Sequence, residues 1–293
     1  MTKILDPKND VVFQKLFGMK AHKHILISFL NSILNLSGEN AIKEVDFEEK
    51  ILDASLIASE KLSILDLHVT TERDMHVNVE IQLINQYNMI KRTLFYISKM
   101  LLTQLDKGED YSCLNRTVTI NILNFKYLDG ENFIKNYGLF EKETKQSLTD
   151  LLELVFIELP KFNDYKEDHI SNKQTKEFNE KLYKWLTFLS NPAGKEIEEF
   201  MKTDGEIKEA MDALYKISGD KQAIWLAEMR EKALMDEQSR LKGATKEGID
   251  KGINIGKKEK ALEIAKNLLD VLDDETIALK TGLNIEDIKI LRK

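Results

Sequence analysis

The chain has 293 residues, 42% of them hydrophobic and 32% charged, with a formal net charge of -7. That apolar content suits a packed core and rules out wholesale disorder, and the length fits two domains. The acidic balance argues against a nonspecific DNA binder held by bulk charge. The single cysteine, Cys113, excludes an internal disulfide. It lies at an expected strand start with no His or Asp motif attached, so a buried structural thiol is expected there. No apolar run reaches membrane-spanning length, and the stretch from Met1 to Lys8 lacks a signal peptide's apolar region. A cytoplasmic setting is expected.

Along the chain, Pro7 precedes Asn9 and Asp10, either of which can cap a helix that runs to Phe17 and stops at Gly18. A second helix is predicted near His22 to Leu36, with Ile25, Phe29 and Ile33 on one stripe. Residues 42–55, 60–69 and 75–84 read as strands. In the last of these, Val77, Val79, Ile81 and Leu83 alternate with His76, Asn78, Glu80 and Gln82. Successive strand side chains point to opposite faces, so the polar four share one face and the aliphatic four the other. The polar stretch Thr70 to Asp74 suits a hairpin loop. Pairing Ser63–Val69 with His76–Leu83 then brings Asp66 and Glu80 toward a shared face. Two carboxylates at one spot repel and raise a pKa unless a cation sits between them. Hard oxygen ligands with open positions suit magnesium or manganese.

A long helix is predicted over about Tyr87 to Asp106. Ile90, Leu94, Ile97 and Leu101 form its expected core stripe, with Arg92, Tyr96 and Lys99 on another arc. Arg92 and Tyr96 are one turn apart and share a face. Thr117 to Phe125 and Leu152 to Leu159 read as buried strands, the second ended by Pro160. After Pro160, helical periodicity takes over. Trp185, Phe188 and Leu189 belong to a helix ended by Asn191-Pro192. Ile207 to Lys242 reads as one or two long helices, with Met211, Leu214, Ile217, Ile224, Trp225 and Met229 as packing residues. Glycine then recurs every four residues at Gly248, Gly252 and Gly256. At helical spacing these make a flat groove for close helix approach, at a cost of roughly 1 kcal/mol of propensity per glycine. A marginal, self-associating helix or a hinge is expected. In the tail, Asp274 to Lys280 and a second helix capped by Asn284 have helix-turn-helix spacing through Ala278, Gly282 and Ile288. The acidic start Ile285-Glu286-Asp287 favours packing or oligomerisation over DNA reading, with Lys289, Arg292 and Lys293 only partly compensating. His68 and His76 are supporting candidates beside the carboxylates, and no zinc-ligand spacing appears.

The strand pair, the opening Asp10–Gly18 segment and the Arg92/Tyr96 pair together resemble the PD-(D/E)XK nuclease superfamily. Within it the chain is similar to the recombination-promoting nuclease and putative transposase family, well over residues 5–160 and in style beyond. The resemblance implies an α/β, restriction-endonuclease-like core in the order helix, three strands, helix, strand, followed by an all-α C-terminal region. It divides the chain into a nuclease-like domain (1–160), a helical region (161–242) and a glycine-repeat segment with a helix-turn-helix-like tail (243–293). It implies a metal-dependent DNA endonuclease linked to recombination or transposition. Asp66, Glu80 and Gln82 would be catalytic. Asp66, Glu80 and the backbone carbonyl of Ile81 would hold Mg2+ or Mn2+. Lys15, Arg92 and Tyr96 would contact DNA, with Asp10 in support. Many relatives carry lysine where this chain has Gln82, so a cationic base is missing. A homo-oligomer formed through the helical C-terminal region is the expected protein partner. The competing expectation is a catalytically degenerate nuclease fold that binds DNA or assembles with partners.

Overall fold

The computed structural model describes residues 3–47, 67–172 and 179–292. Asp66, most of the segment expected as strand 60–69, and residues 48–55 lie outside the described residues. The chain divides into two compact units, 1–234 and 235–293.

In the first unit, helix α1 (Asp10–Phe17) starts at Asn9, whose side chain accepts the Val11 N–H, and ends at Gly18. Helix α2 (Lys23–Ile33) buries Ile25, Phe29 and Ile33, the expected stripe. Strands β1 (Val45–Phe47), β2 (Leu67–Thr71) and β3 (His76–Gln82) follow. The β2–β3 turn sits at Glu72-Arg73, with Asp74 at φ 56. Helix α3 is Met89–Leu102, and β4 is Thr117–Leu123. A hairpin of β5 (Ile134–Phe140) and β6 (Ser147–Glu158) comes next. The sequence pattern gave no sign of β5, because its faces do not alternate cleanly in burial. It is an edge strand with two register irregularities. Pro160 does not end an element. It is the second residue of helix α4 (Leu159–Asn172), where its missing N–H costs nothing.

The sheet order is β1-β2-β3-β4-β6-β5. The outer pairs are antiparallel, while β3–β4 and β4–β6 are parallel. Registers Glu80↔Asn121↔Phe156 and Val79↔Ile120↔Val155 place alternating residues of the central strands on opposite faces. One face is aliphatic: Val77, Val79 and Ile81, then Val118, Ile120 and Ile122, then Val155 and Ile157. All are in the main core. Helices α1, α2, α5 (Glu180–Ser190) and α7 (Gly205–Gly219) share that core, with α6 (Lys195–Thr203) between the last two. Trp185 stacks edge-on against Phe29 and Phe188 there. The expected boundary at residue 160 therefore falls inside one continuous core.

The opposite face of β3 and β4 is polar, and α3 covers it. The buried residues of α3 are Met89, Thr93, Tyr96, Ile97 and Met100. This corrects the expected stripe: Ile90 and Leu94 are exposed, while Thr93 and Tyr96 turn inward. Ile97 of the expected stripe is buried, and α3 departs from the usual pattern at Thr93 because the surface it covers carries hydrogen-bonding groups. Cys113 is also corrected: it is exposed, in a short 3-10 turn at Tyr111–Cys113.

Helix α8 (Lys221–Leu268) is separated from α7 by Asp220 and runs across the boundary between the units. Trp225 and Met229 on it are exposed, against the expectation of packing, whereas Met211, Leu214 and Ile217 are buried. The second unit ends in α9 (Asp274–Thr281) and α10 (Ile285–Leu291). Its small core joins Ala265, Ile277 and Ile288. Gly282, at φ 71, closes α9 in the left-handed region that favours glycine, and Asn284 caps α10. Among the described residues no helix is long and apolar enough to cross a membrane.

Candidate active site

The polar face of β3 presents His76, Asn78, Glu80 and Gln82, and all but the terminal two are buried. Across the parallel pairing, Asn78 meets Thr119 and Glu80 meets Asn121. Thr93 of α3 donates its hydroxyl to Asn121 Oδ1 at 2.9 Å, and Asn121 Nδ2 donates to the Val155 carbonyl at 3.2 Å. A buried hydroxyl–amide chain thus pins the helix to the strand beside Glu80. An unpaired group there would cost the full desolvation penalty, which makes the docking position specific.

Glu80 is 1% exposed. Its two carboxylate oxygens differ sharply. Arg92 places Nε and a terminal guanidinium nitrogen each 2.8 Å from Oε1. Gln82 Nε2 also donates to Oε1. Oε2 is buried and accepts no hydrogen bond among the described residues. Burial pushes the Glu80 carboxyl above its ordinary value, against the pull of the Arg92 charge and of the Gln82 and Arg92 hydrogen bonds. The Arg92 guanidinium carbon lies 5.2 Å from the centre of the Tyr96 ring, in cation–π range.

Of the residues singled out from sequence, Glu80, Gln82, Arg92 and Tyr96 converge. Asp66 lies outside the described residues. The β2–β3 register begins with Leu67↔Val79, one residue after Asp66 and one before Glu80. His68 and His76 share this face, and His76 Nδ1 is 3.4 Å from Thr70 Oγ1. The Ile81 side chain points into the opposite, aliphatic core. Tyr96 is only 8% exposed, with its ring beside the Arg92 guanidinium. Lys15 does not join the group. It is half-buried on α1, whose apolar side packs in the aliphatic-face core, and its charge acts on Asp220, whose carboxyl is held low first by the Ala223 and Gln222 amides. Asp10 is likewise elsewhere: its Oδ2 accepts from Arg230 Nε at 2.5 Å, while Asn9 Nδ2 donates to the Ala227 carbonyl at 3.1 Å. Both fasten α1 to α8.

Sequence reasoning missed the Thr93–Asn121 link and a second buried polar group on the same face. Glu158, in register with Leu123 and so with Gln82, is 1% exposed. Its Oε2 pairs with Lys161 Nζ at 2.6 Å, and its Oε1 accepts the Tyr127 and Leu128 amides. The i, i+3 spacing of Glu158 and Lys161 was the available signal. It was masked by the strand-to-helix change at Leu159.

A family model described as PD-(D/E)XK nuclease family transposase matches residues 7–244. The chain belongs to that family. No curated protein and no solved structure matches it. The mixed six-stranded sheet with helices on both faces fits the PD-(D/E)XK nuclease-like fold, and membership supports a nuclease- or transposase-related function. Nucleases of this superfamily typically use divalent metals. The described part of the site fits that need through one feature, the unpartnered buried oxygen of Glu80. No cluster of three or more His, Cys, Asp or Glu side chains that could hold a metal occurs among the described residues.

Proposed function

We propose that this PD-(D/E)XK family member is a divalent-metal-dependent DNA endonuclease acting in recombination or transposition, with Glu80 at its reaction centre. The observation that carries this reading is the asymmetry of Glu80: one oxygen is saturated with donors and the other is bare and buried. A buried oxygen with no hydrogen-bond partner is expensive unless a cation or water completes it. Glu80 Oε2, the carboxylate of Asp66 and the backbone carbonyl of Ile81 would form an all-oxygen donor set suited to Mg2+ or Mn2+. Such an ion, when bound, lowers the pKa of coordinated water and neutralises charge developing at phosphorus.

The chain's own groups do the rest. Gln82 commits its amide N–H to Glu80, which leaves its amide oxygen to accept a hydrogen bond from the attacking water and orient it. Gln82 carries no charge and cannot serve as a cationic base. Arg92 partly offsets the Glu80 charge through Oε1. In this reading the substrate is duplex DNA, the setting is the cytoplasm, and two copies associate through the helical C-terminal region so that both strands are cut.

A second reading has one observation in its favour. Arg92 already supplies Glu80 with a countercharge, as it would in a degenerate site that binds DNA or partners without cutting. Cleavage of supercoiled plasmid with and without Mg2+ or Mn2+ separates the two. Metal-dependent nicking or linearisation that disappears in Asp66→Ala supports the endonuclease. An intact plasmid in both metals, with the protein folded, supports the second reading.

A further inference from the structure

We infer that Arg92 is a positioning residue for Glu80, holding the carboxylate so that Oε2 faces the cation, rather than a contact to the DNA backbone. The assignment rests on the endonuclease reading above. Three observations support it. Both guanidinium nitrogens within 2.8 Å of Glu80 converge on the same oxygen, Oε1, so the ion pair fixes the carboxylate's rotation and leaves Oε2 clear. The Arg92 side chain is only 19% exposed, which leaves little of it for a phosphate. Its guanidinium carbon lies over the buried Tyr96 ring, 5.2 Å from the ring centre, and the adjacent Thr93 locks the same helical turn to Asn121 on β4, so the fork cannot swing without disturbing buried groups.

A carboxylate rotates freely about its terminal bond, and a cation site with a wandering ligand loses affinity. Groups one step removed from a metal orient its ligands in this way, and their loss typically weakens metal binding about 10–100-fold. The guanidinium charge, in contrast, repels an incoming cation. The sign of the affinity change on removing Arg92 therefore decides between orientation and mere occupancy of the site.

The test uses the full chain, stripped with EDTA and checked for folding by circular dichroism. Mn2+ affinity is measured by calorimetry, and duplex affinity by fluorescence anisotropy in EDTA across a salt series. For R92Q the Mn2+ Kd should rise about 10–100-fold, with R92K recovering part of the loss. Duplex affinity in EDTA and its salt slope should stay within roughly twofold of wild type. In an E80Q background the R92Q effect on Mn2+ binding should vanish, because the ligand being oriented is gone. Should R92Q fail to fold, R92K and the E80Q/R92Q pair, which buries no lone carboxylate, carry the same comparison. Unchanged or tighter Mn2+ binding in the Arg92 variants overturns the assignment. So does a loss of duplex affinity with a salt slope shallower by about one, the mark of a phosphate contact. If the wild type binds no Mn2+, the endonuclease reading falls and takes the assignment with it. If the wild type binds Mn2+ and the Arg92 variants match it, the assignment alone falls.

Discussion

Burial sets the protonation chemistry of Glu80. Its carboxyl is raised above the ordinary 4.5 by desolvation, with Arg92 and Gln82 pulling the other way. A raised carboxyl is fully compatible with the fold below the unfolded-state value, and it costs stability as pH climbs through the folded-state value. In EDTA, Glu80→Gln should therefore gain melting temperature over wild type as pH rises from about 4.5 and then level off. Mn2+ should shrink that gap, since an ion that completes Oε2 stabilises only the carboxylate form. A gap independent of pH would mean that Arg92 neutralises the carboxylate fully. Much at this scale was legible in the sequence. The alternation over residues 76–83 marked the polar face of β3, and Arg92 and Tyr96 were recognisable as one turn apart. Which way Arg92 points was not, because an i, i+4 pair reveals a shared face but not the strand it meets.

Elements were legible where each buries an ordinary face. Asn9 as cap, Gly18 as stop, and Ile25, Phe29 and Ile33 as a stripe all follow from local chemistry, and the structure bears them out. Helix α3 was misread because amphipathic reasoning assumes an apolar partner surface. It docks on Asn121 and Glu80 instead, so Thr93 goes in and Leu94 stays out. Strand β5 was missed because an edge strand with register shifts carries no clean period. Thr93→Val keeps the shape of the side chain but strands Asn121 Oδ1 in the interior. Chemical denaturation should show a loss of about 1–3 kcal/mol, and cleavage should fall with it. Gly18→Ala would set a Cβ 2.6 Å from the Gln14 carbonyl and 2.8 Å from Leu67 Cδ2. The clash joins the end of α1 to the start of β2, and it should cost about 1–3 kcal/mol by the same assay. Wild-type stability in either variant would show that the surrounding backbone gives way freely.

At the scale of the whole molecule, the family match spans nearly all of the first unit and stops at residue 244, soon after the second begins. Among its described residues, the second unit does not present a basic reading helix. Arg292 is spent on Asp274 and on the Leu269 and Leu272 carbonyls, and Lys289 pairs with Glu286. The tail's two-helix spacing was legible; the clamp that holds its arginine was not, because it depends on two carbonyls just beyond the end of α8. The glycine repeat lies within the α-helical run of α8, and a Cβ added at Gly248, Gly252 or Gly256 would meet nothing within 4 Å. Replacing all three with alanine should raise helicity and the melting temperature, by roughly 1 kcal/mol per site in helix propensity, with cleavage unchanged. Loss of stability or of self-association in that variant would show instead that the glycines are packed against a second helix.

In the proposed reading, Glu80 carries the metal-dependent chemistry. The direct measurement is single-turnover cleavage of a labelled duplex in saturating Mg2+ by wild type and by Glu80→Gln, with duplex affinity and melting temperature followed in parallel. Losing one ion ligand removes several kcal/mol of transition-state stabilisation, so the rate should fall roughly 10^3-fold while DNA binding and folding persist. Cleavage within tenfold of wild type in a folded Glu80→Gln protein would contradict the claim.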